Sequence, residues 1–406
     1  NFELSESLCS ESELRFGCCE ASVLKFKIHN TFTKMKDKWL VVEETLDGHT
    51  DIPFQFGRYK VFSDVPTADR LYRDITAYDA MYDIINSSVV GWYNSIFPDM
   101  NRRVPMRQFR KSFIEHFGLK EVDPVMEVRE DGTRVYGLVN DGLYLEKTII
   151  VEEGTEIDNE TQQVSILKES SLSGLDVIRA ICEINGFFGH IGRDGKFHYI
   201  YLTQDMMGLY PSNTLFPDHA PWYLKQSETG HLYPQAPKST GIGSGGYKSC
   251  QYEDFICKRI TRLQIRQEEN DIGKIWPEGS KTQNDNCYVI ENNFLVYGKS
   301  SDDLAAVAKN IFDKITHIVY RPFSADCIGN PCLEVGDPVR LPTKYELVES
   351  YILNRTLKGI QSLADAFSAN GTEKYSGKIN GVHNSIIQLK GKTNILIRNL
   401  DETRSE

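Results

Sequence analysis

The residues that could carry out chemistry in this chain are a histidine–aspartate pair, a glycine triplet and nine cysteines. His190 and Asp194 have the H-x-x-x-D spacing that one class of zinc hydrolases uses for two of its metal ligands. Such a site also needs a second pair of histidines with H-x-H spacing, and the sequence contains none. Asp194 precedes Gly195, and an Asp-Gly pair is typical of a tight hairpin turn. We therefore interpret Asp194 as a turn residue and His190 as an ordinary strand position.

The glycine triplet is formed by Gly241, Gly243 and Gly246, which fit the G-x-G-x-x-G pattern of dinucleotide-binding loops. That loop binds a pyrophosphate only where a strand precedes it and a helix follows it. Here QAPKST precedes the glycines, and the strand-like YKSCQY follows them. The triplet therefore predicts a linker or a long surface loop, and no cofactor is expected.

The nine cysteines are odd in number and include no C-x-x-C pair. We interpret them as reduced, mostly buried thiols of a cytoplasmic chain, because neither a disulfide framework nor a zinc site has the spacing it needs. No cysteine has sequence surroundings that identify a cysteine peptidase, and paired carboxylates for glycoside cleavage have no sequence signature. The sequence thus predicts no catalytic, cofactor-binding or metal-binding residue. The cysteines are Cys9, Cys18, Cys19, Cys182, Cys250, Cys257, Cys287, Cys327 and Cys332.

Composition and charge are those of a folded protein of several domains. The chain has 406 residues, of which 40% are hydrophobic and 25% charged, and its formal net charge is -11. It has no long basic run and no apolar stretch of about 18 residues, so neither stable binding to nucleic acid nor membrane insertion is expected. The first residues, NFELSESLCSESEL, are polar and lack a signal-like pattern, and they do not begin with Met. We expect the natural chain to begin further upstream.

The alternation of apolar and polar residues predicts an α+β, multidomain fold. Two β-rich, barrel-like segments are separated by helical and mixed α/β insertions. Hairpins are predicted around Asp131-Gly132 and around Asp194-Gly195. The predicted division of the chain is 1–85 (first β-rich domain, expected to lack its first strands), 86–122 (helical insertion), 123–246 (mixed α+β domain with hairpins and a linker), 247–376 (second β-rich domain with one helix) and 377–406 (start of a C-terminal extension).

Four helical stretches are predicted from apolar residues spaced three and four apart. The clearest covers 302–318, with Ser301 as its cap, and a second follows the cap Ser173 over GLDVIRAICEING. A third is VPMRQFRKSFIEHFG, with Pro105 in its first turn. The fourth is ADRLYRDITAYDAMYDIINSSVVGWYNSIF, where Tyr78, Met81, Tyr82 and Ile85 suggest a helical stripe.

Several phrases, in this order along the chain, resemble one protein family. They are FELSESLCSESELRFGCCEASVLKFKI, FGRYKVFSDVPTADRLYRDITAYDAMYDI, GLDVIRAICEINGFFGHIGRDGKFHYIYL, IGNPCLEVGDPVRL and SYILNRTLKGIQSLADAFSANGTEKY. The family is that of the tail-associated, tail-tip or baseplate-hub proteins of phages and prophages of Gram-positive bacteria, which are related to the central hub of contractile phage baseplates. No single phrase is a catalytic signature, so the resemblance depends on their number and order.

The resemblance implies a structural virion protein of the tail tip, assembled in the cytoplasm of the bacterial host. It implies a homotrimer in which two tube-like β domains per subunit form a pseudo-sixfold ring that caps the tail tube, organises the tip for host attachment and lets DNA pass. The implied partners are the tail tube, distal tail and tape measure proteins, with tail fibres or receptor-binding proteins beyond them. Two alternatives stay open: a tail-associated peptidoglycan hydrolase with its catalytic domain C-terminal to this segment, and a host carbohydrate- or receptor-binding module.

Overall fold

The computed structural model describes most of the chain. Strands hold more of the described residues than helices do, so the fold is β-rich and the predicted mixture of strands and helices is confirmed at that level. The described strands form several sheets, and the order of the largest is linear rather than closed. The described ranges are 2–30, 33–46, 49–131, 133–151, 171–202, 223–226, 232–235, 240–241, 247–267, 273–279, 285–331, 333–360 and 362–375.

The largest sheet has nine strands and contains both β-rich parts of the chain. The first and last parts meet where β1 pairs with β23, with Leu4 opposite Leu357. Neighbouring strands in this sheet are antiparallel throughout. In spatial order the strands are β16 (Tyr247–Tyr252), β20 (Phe323–Ile328), β24 (Ala364–Ala369), β23 (Asn354–Lys358), β1 (Phe2–Ser7), β2 (Val23–His29), β5 (Tyr72–Tyr78), β4 (His49–Pro66) and β3 (Trp39–Leu46).

One face of the nine-stranded sheet is covered and the other is not, and the sequence alternation decides which residues lie on each. Residues two apart in a strand share a face. In β20, Phe323, Ala325 and Cys327 are buried, and the residues between them are exposed. Across the other half of the sheet the covered face is a cluster of buried side chains, namely Leu4, Leu24, Phe56, Tyr59, Val61, Ile75, Ala77 and Leu357.

The remaining described strands form small sheets beside the large one. They are β6 (Val104–Pro105) with β10 (Tyr144–Leu145); β7 (Glu121–Val122), β11 (Phe188–Ile191) and β12 (Phe197–Ile200); β8 (Val125–Val128) with β9 (Arg134–Tyr136); β13 (Tyr223–Gln226) with β14 (Leu232–Gln235); β15 (Thr240–Gly241), β21 (Pro338–Pro342) and β22 (Leu347–Tyr351); and β17 (Arg262–Arg266), β18 (Lys274–Trp276) and β19 (Cys287–Glu291). The two predicted hairpins are confirmed as β8–β9 and β11–β12, although Gly132 itself lies outside the described residues.

Two of the predicted helices are found, one with the predicted cap and one with its cap one residue earlier than predicted. The Ser173 side chain accepts from the Asp176 backbone N–H and the Asp176 carboxylate accepts from that of Ser173, which is a complete capping box. The strongest predicted helix begins at Ser301, but its cap is Ser300, whose hydroxyl accepts from the Asp303 backbone N–H. The helices are α1 (Met81–Asn86), α2 (Val90–Ile96), α3 (Met106–His116), α4 (Gly174–Glu183) and α5 (Ser301–Ile315), with a short 3-10 helix at Phe294–Val296.

The prediction of one helical stretch between residues 68 and 97 is wrong in its first part. Residues Tyr72–Tyr78 form strand β5, which is paired on one side with β2 and on the other with β4. Ile75 and Ala77 are buried on the covered face, so the strand alternation overrides the apparent helical stripe. Helices begin only at Met81. Pro105 is also corrected, because it caps α3 rather than lying in its first turn.

In the described part of the chain, no helix has both the length and the apolar character needed to cross a membrane. The predicted domain boundaries stay a prediction, and segment 377–406 lies outside the described residues.

Candidate assembly surface

The histidine and aspartate with zinc-ligand spacing do not form a site together. His190 lies in β11 and is buried, and burial lowers its pKa. Asp194 lies in the β11–β12 turn, where one of its oxygens accepts from the Lys196 backbone N–H at 3.0 Å. The same oxygen is 2.8 Å from Nε2 of His198. The structure therefore places Asp194 in the turn role that its sequence predicts. Among the described residues, no group of three or more His, Cys, Asp or Glu side chains could hold a metal ion.

The glycine triplet is only partly described. Gly241 lies at the end of the short strand β15, which pairs in parallel with β21, whereas Gly243 and Gly246 lie outside the described residues. A strand follows the triplet, since β16 begins at Tyr247. Eight cysteines are described and all eight are free thiols, six of them buried; Cys332 lies outside the described residues.

The uncovered side of the nine-stranded sheet, which we call the outer face, is a polar surface crossed by ion pairs. Lys25 Nζ is 3.8 Å and Lys358 Nζ 3.4 Å from the Glu3 carboxylate, so one acid links three adjacent strands. Lys27 pairs with Asp74 at 3.5 Å on the next strand. These pairs are exposed and each contributes at most about 1 kcal/mol to stability. Their main effect is to leave a surface with both signs of charge and no basic track.

The end of the outer face nearest β3 carries exposed aromatic and apolar side chains. Trp39 is 47% exposed and Phe62 52% exposed. Phe62 lies 5.7 Å from Tyr78 and 5.4 Å from Tyr82, and the two tyrosine rings stack at 4.4 Å. We call these four residues the aromatic patch. Val41 in β3, Val65 in β4 and Leu71 just before β5 are each more than half exposed. Large exposed apolar groups that lie close together mark a contact surface in a soluble protein.

The sheet ends in β3 on one side and in β16 on the other, and no described strand pairs with the far side of either. A strand at the end of a sheet presents backbone N–H and C=O groups that can pair with another chain. Val41 in the middle of β3 is 52% exposed and points to the outer face. The same sheet therefore offers two edges that a second chain could extend.

A buried arginine fixes the junction between the two parts of the sheet. The Arg355 guanidinium in β23 donates to both carboxylate oxygens of Asp365, at 2.9 and 3.2 Å, and to Glu6 in β1 at 3.3 Å. It also donates to the backbone oxygens of Leu333 and Asn330. The Arg355 side chain has no exposed area. Burial alone would lower its pKa, but the two carboxylates raise it, so the arginine stays charged.

A second arginine ties the β11–β12 hairpin to the same loop. Arg193 donates to the backbone oxygens of Pro331 and Leu333, both at 2.7 Å. Its guanidinium lies 5.5 Å from the centre of the Phe56 ring in β4. The two arginines together fix the loop around residue 333 against the covered face. The sequence analysis did not identify the two arginines that hold this loop.

A third buried arginine organises the helical region. Arg110 in α3 lies 2.7 Å from each of three carboxylates, those of Glu121, Asp123 and Asp141, and its side chain has no exposed area. Tyr199 adds a ring beneath the guanidinium at 5.2 Å and a hydroxyl that donates to Glu121 at 2.9 Å. Burial raises the pKa of Glu121, and Arg110 opposes that rise. The cluster joins α3 to β7 and β12 through these ion pairs.

Comparison with solved structures gives matches along almost the whole chain. A 43 kDa tail protein of prophage MuSo2 from Shewanella oneidensis is 10% identical, with a TM-score of 0.44 and coverage of 90% of this chain and 92% of that one. A tail protein from Neisseria meningitidis is 8% identical, with a TM-score of 0.47 and coverage of 91% of each chain. Prophage tail protein gp18 from Listeria monocytogenes is 11% identical, with a TM-score of 0.44 and coverage of 91% and 88%.

The chain resembles phage tail proteins. The predicted resemblance to phage tail proteins is confirmed, whereas its restriction to Gram-positive bacteria has no support. No protein-family model and no curated protein sequence matches the chain. Because the identities are low and the TM-scores lie below 0.5, the function of the chain is inferred from its own surfaces and not from these matches.

Proposed function

We propose that the chain is a structural subunit of a phage tail tip and that three copies close into a ring at the end of the tail tube. The observation that carries the proposal is the nine-stranded sheet, in which strands from residues 2–78 and from residues 247–369 lie side by side. Each subunit then contributes two β-rich segments to one continuous wall. Three subunits offer six such segments, which matches a hexameric tube above them.

In this proposal the wall closes edge to edge, with β3 of one copy against β16 of the next. Pairing would satisfy the backbone groups that both edges leave open. The Arg355 cluster supports this role, because a ring wall needs a rigid junction between the two parts of each subunit. The predicted barrel-like form of each β-rich segment stays a prediction.

The outer face is proposed to line the channel through which DNA passes. A channel wall with a basic track would hold phosphates, whereas paired charges do not. The lysines of the outer face lie beside Glu3 and Asp74, which fits a wall that lets DNA slide. Tail tube, distal tail and tape measure proteins are the proposed neighbours, with fibres or receptor-binding proteins at the tip and assembly in the host cytoplasm. No catalytic role is assigned to the described residues.

Light scattering tests the ring through its edges. The wild-type chain should have a mass of about 139 kDa, three times that of the 46.3 kDa chain. Val41→Lys places a charge on the β3 edge and should shift the mass to that of the monomer while the far-ultraviolet spectrum stays unchanged. Tyr345→Lys is the matched control. Tyr345 is 82% exposed and lies in the turn that connects β21 and β22, which belong to a different sheet. Wild-type protein that stays monomeric at all concentrations, with tail tube present, contradicts the proposal.

The aromatic patch favours a second candidate, a carbohydrate-binding module. Exposed rings stack on the apolar faces of sugars, and the Lys60–Asp83 pair beside them, at 3.0 Å, could bind hydroxyl groups. Titration of the chain with fragments of candidate host cell-wall glycans tests it. Quenching of Trp39 fluorescence that is lost in Phe62→Ala supports this candidate, and no response from any of the glycans counts against it. A peptidoglycan hydrolase, whose catalytic domain would follow this segment, has no supporting observation among the described residues.

A further inference from the structure

Two thiols that the assembly role does not use lie next to each other in the core. Cys19 is in the segment that connects β1 to β2, and Cys182 is in the last turn of α4. Their Sγ atoms are 3.9 Å apart, and both residues are free cysteines. They are 163 positions apart in the sequence, so the contact joins two distant parts of the chain.

Backbone hydrogen bonds hold the segment that carries Cys19 in place. The Gly17 N–H donates to the Phe187 oxygen at 2.8 Å, and the Gly189 N–H donates to the Cys18 oxygen at 3.2 Å. Phe187 precedes strand β11 and Gly189 lies in it, and β11 is the first strand after α4. The two sulfur atoms are therefore positioned by elements that are fixed against each other.

We propose that Cys19 and Cys182 are a redox pair, which stays reduced in a reducing cytoplasm and closes to a disulfide when the protein meets a peroxide. The Cys19 thiolate attacks one peroxide oxygen, giving a sulfenic acid and, after protonation, one water. The Cys182 sulfur then attacks the Cys19 sulfur, forms the S–S bond and releases the second water. Two thiols and one hydrogen peroxide thus become one disulfide and two waters, with the peroxide as the two-electron oxidant.

The geometry requires only a short movement. A disulfide S–S bond is about 2.05 Å long, so the two sulfur atoms have to approach each other by about 2 Å. Gly189 packs directly against Cys19, since a Cβ at this position would lie 2.5 Å from the Cys19 Sγ. Burial raises the pKa of the Cys182 thiol well above its ordinary value. Because the thiolate is the reacting form, closure should be slow at neutral pH and faster at alkaline pH.

A bond over this sequence distance would restrict the unfolded chain and raise thermal stability. The proposal does not depend on the ring, because it concerns the core of one subunit. The experiment is to incubate the purified full chain with hydrogen peroxide, alkylate the remaining thiols, and digest with trypsin without reduction. The expected product joins peptide 16–25 to peptide 180–193 through one disulfide. The unfolding midpoint should rise by several degrees and return to its starting value after treatment with dithiothreitol.

Matched variants separate this bond from its neighbours. Cys19→Ala and Cys182→Ala should lose both the cross-link and the shift in midpoint, while Cys18→Ala, one position away and also buried, should keep both. Circular dichroism before oxidation checks that each variant is folded. The proposal is overturned if Cys19 and Cys182 are each recovered alkylated or as sulfinic acids, or if Cys18→Ala abolishes the cross-link.

Discussion

Replacing Arg355 by alanine should destabilise the fold more than any single surface change. The substitution removes the guanidinium that reaches two carboxylates and two backbone oxygens. Asp365 and Glu6, both buried, would then lose their charge partner. Removing one member of a buried ion pair costs about 3–5 kcal/mol, because the remaining charge stays out of water. Asp365 keeps a bond from the Asn330 backbone N–H at 2.7 Å, which favours the lower end of that range.

Urea unfolding at fixed protein concentration measures this cost. Lys358→Ala is the matched control on the same strand, since Lys358 pairs with Glu3 at 3.4 Å and its side chain is 57% exposed. An exposed pair contributes at most about 1 kcal/mol, so the control should unfold close to the wild type. Amide exchange should also become faster in β1 and β23 of Arg355→Ala. A loss of less than 1 kcal/mol in Arg355→Ala would refute the view that this arginine fixes the sheet junction.

Three further changes have defined outcomes. Burial raises the pKa of Asp79 to about 7, so the folded state retains a proton that the unfolded state loses near pH 4. The stability of the wild type relative to Asp79→Asn should therefore fall between pH 4 and pH 7, by up to about 4 kcal/mol. Urea titrations in which the relative stability of the wild type grows over this range contradict the prediction. Gly189→Ala should cost about 1–3 kcal/mol in thermal unfolding, because its Cβ would lie 2.7 Å from the Phe197 ring, whereas Gly142→Ala, with open space around it, should not destabilise the fold. Ser300→Ala removes the cap of α5 and should cost about 1 kcal/mol in chemical denaturation; no loss would mean that the cap bond is not formed in solution.

The helices that could be predicted from the sequence are those whose signals are local. Ser173 and Asp176 stand three apart and form a capping box, and the α5 stripe from Leu304 to Ile315 is buried as its spacing predicts. The hairpin at Asp194-Gly195 follows from one pair of residues. In each case the residues that decide the structure are within a few positions of one another.

The features that were missed depend on contacts between distant residues. Strand β5 is extended because β2 and β4 pair with it, although its composition also fits a helix. The ion cluster at the junction joins residues 349 positions apart, Glu6 and Arg355. Its only local signal is Arg355 itself. The strand alternation places Arg355 on the covered face, between the buried Leu353 and Leu357. The aromatic patch likewise needs the pairing of three strands before it becomes visible.

Particle imaging of the purified chain tests the central claim most directly. Negative-stain images should show a ring with threefold symmetry and a central hole, at the mass of three chains. Class averages should show six similar lobes, two from each subunit, around the hole. Compact single particles of 46.3 kDa with no hole, at every concentration and with tail tube added, would contradict the account.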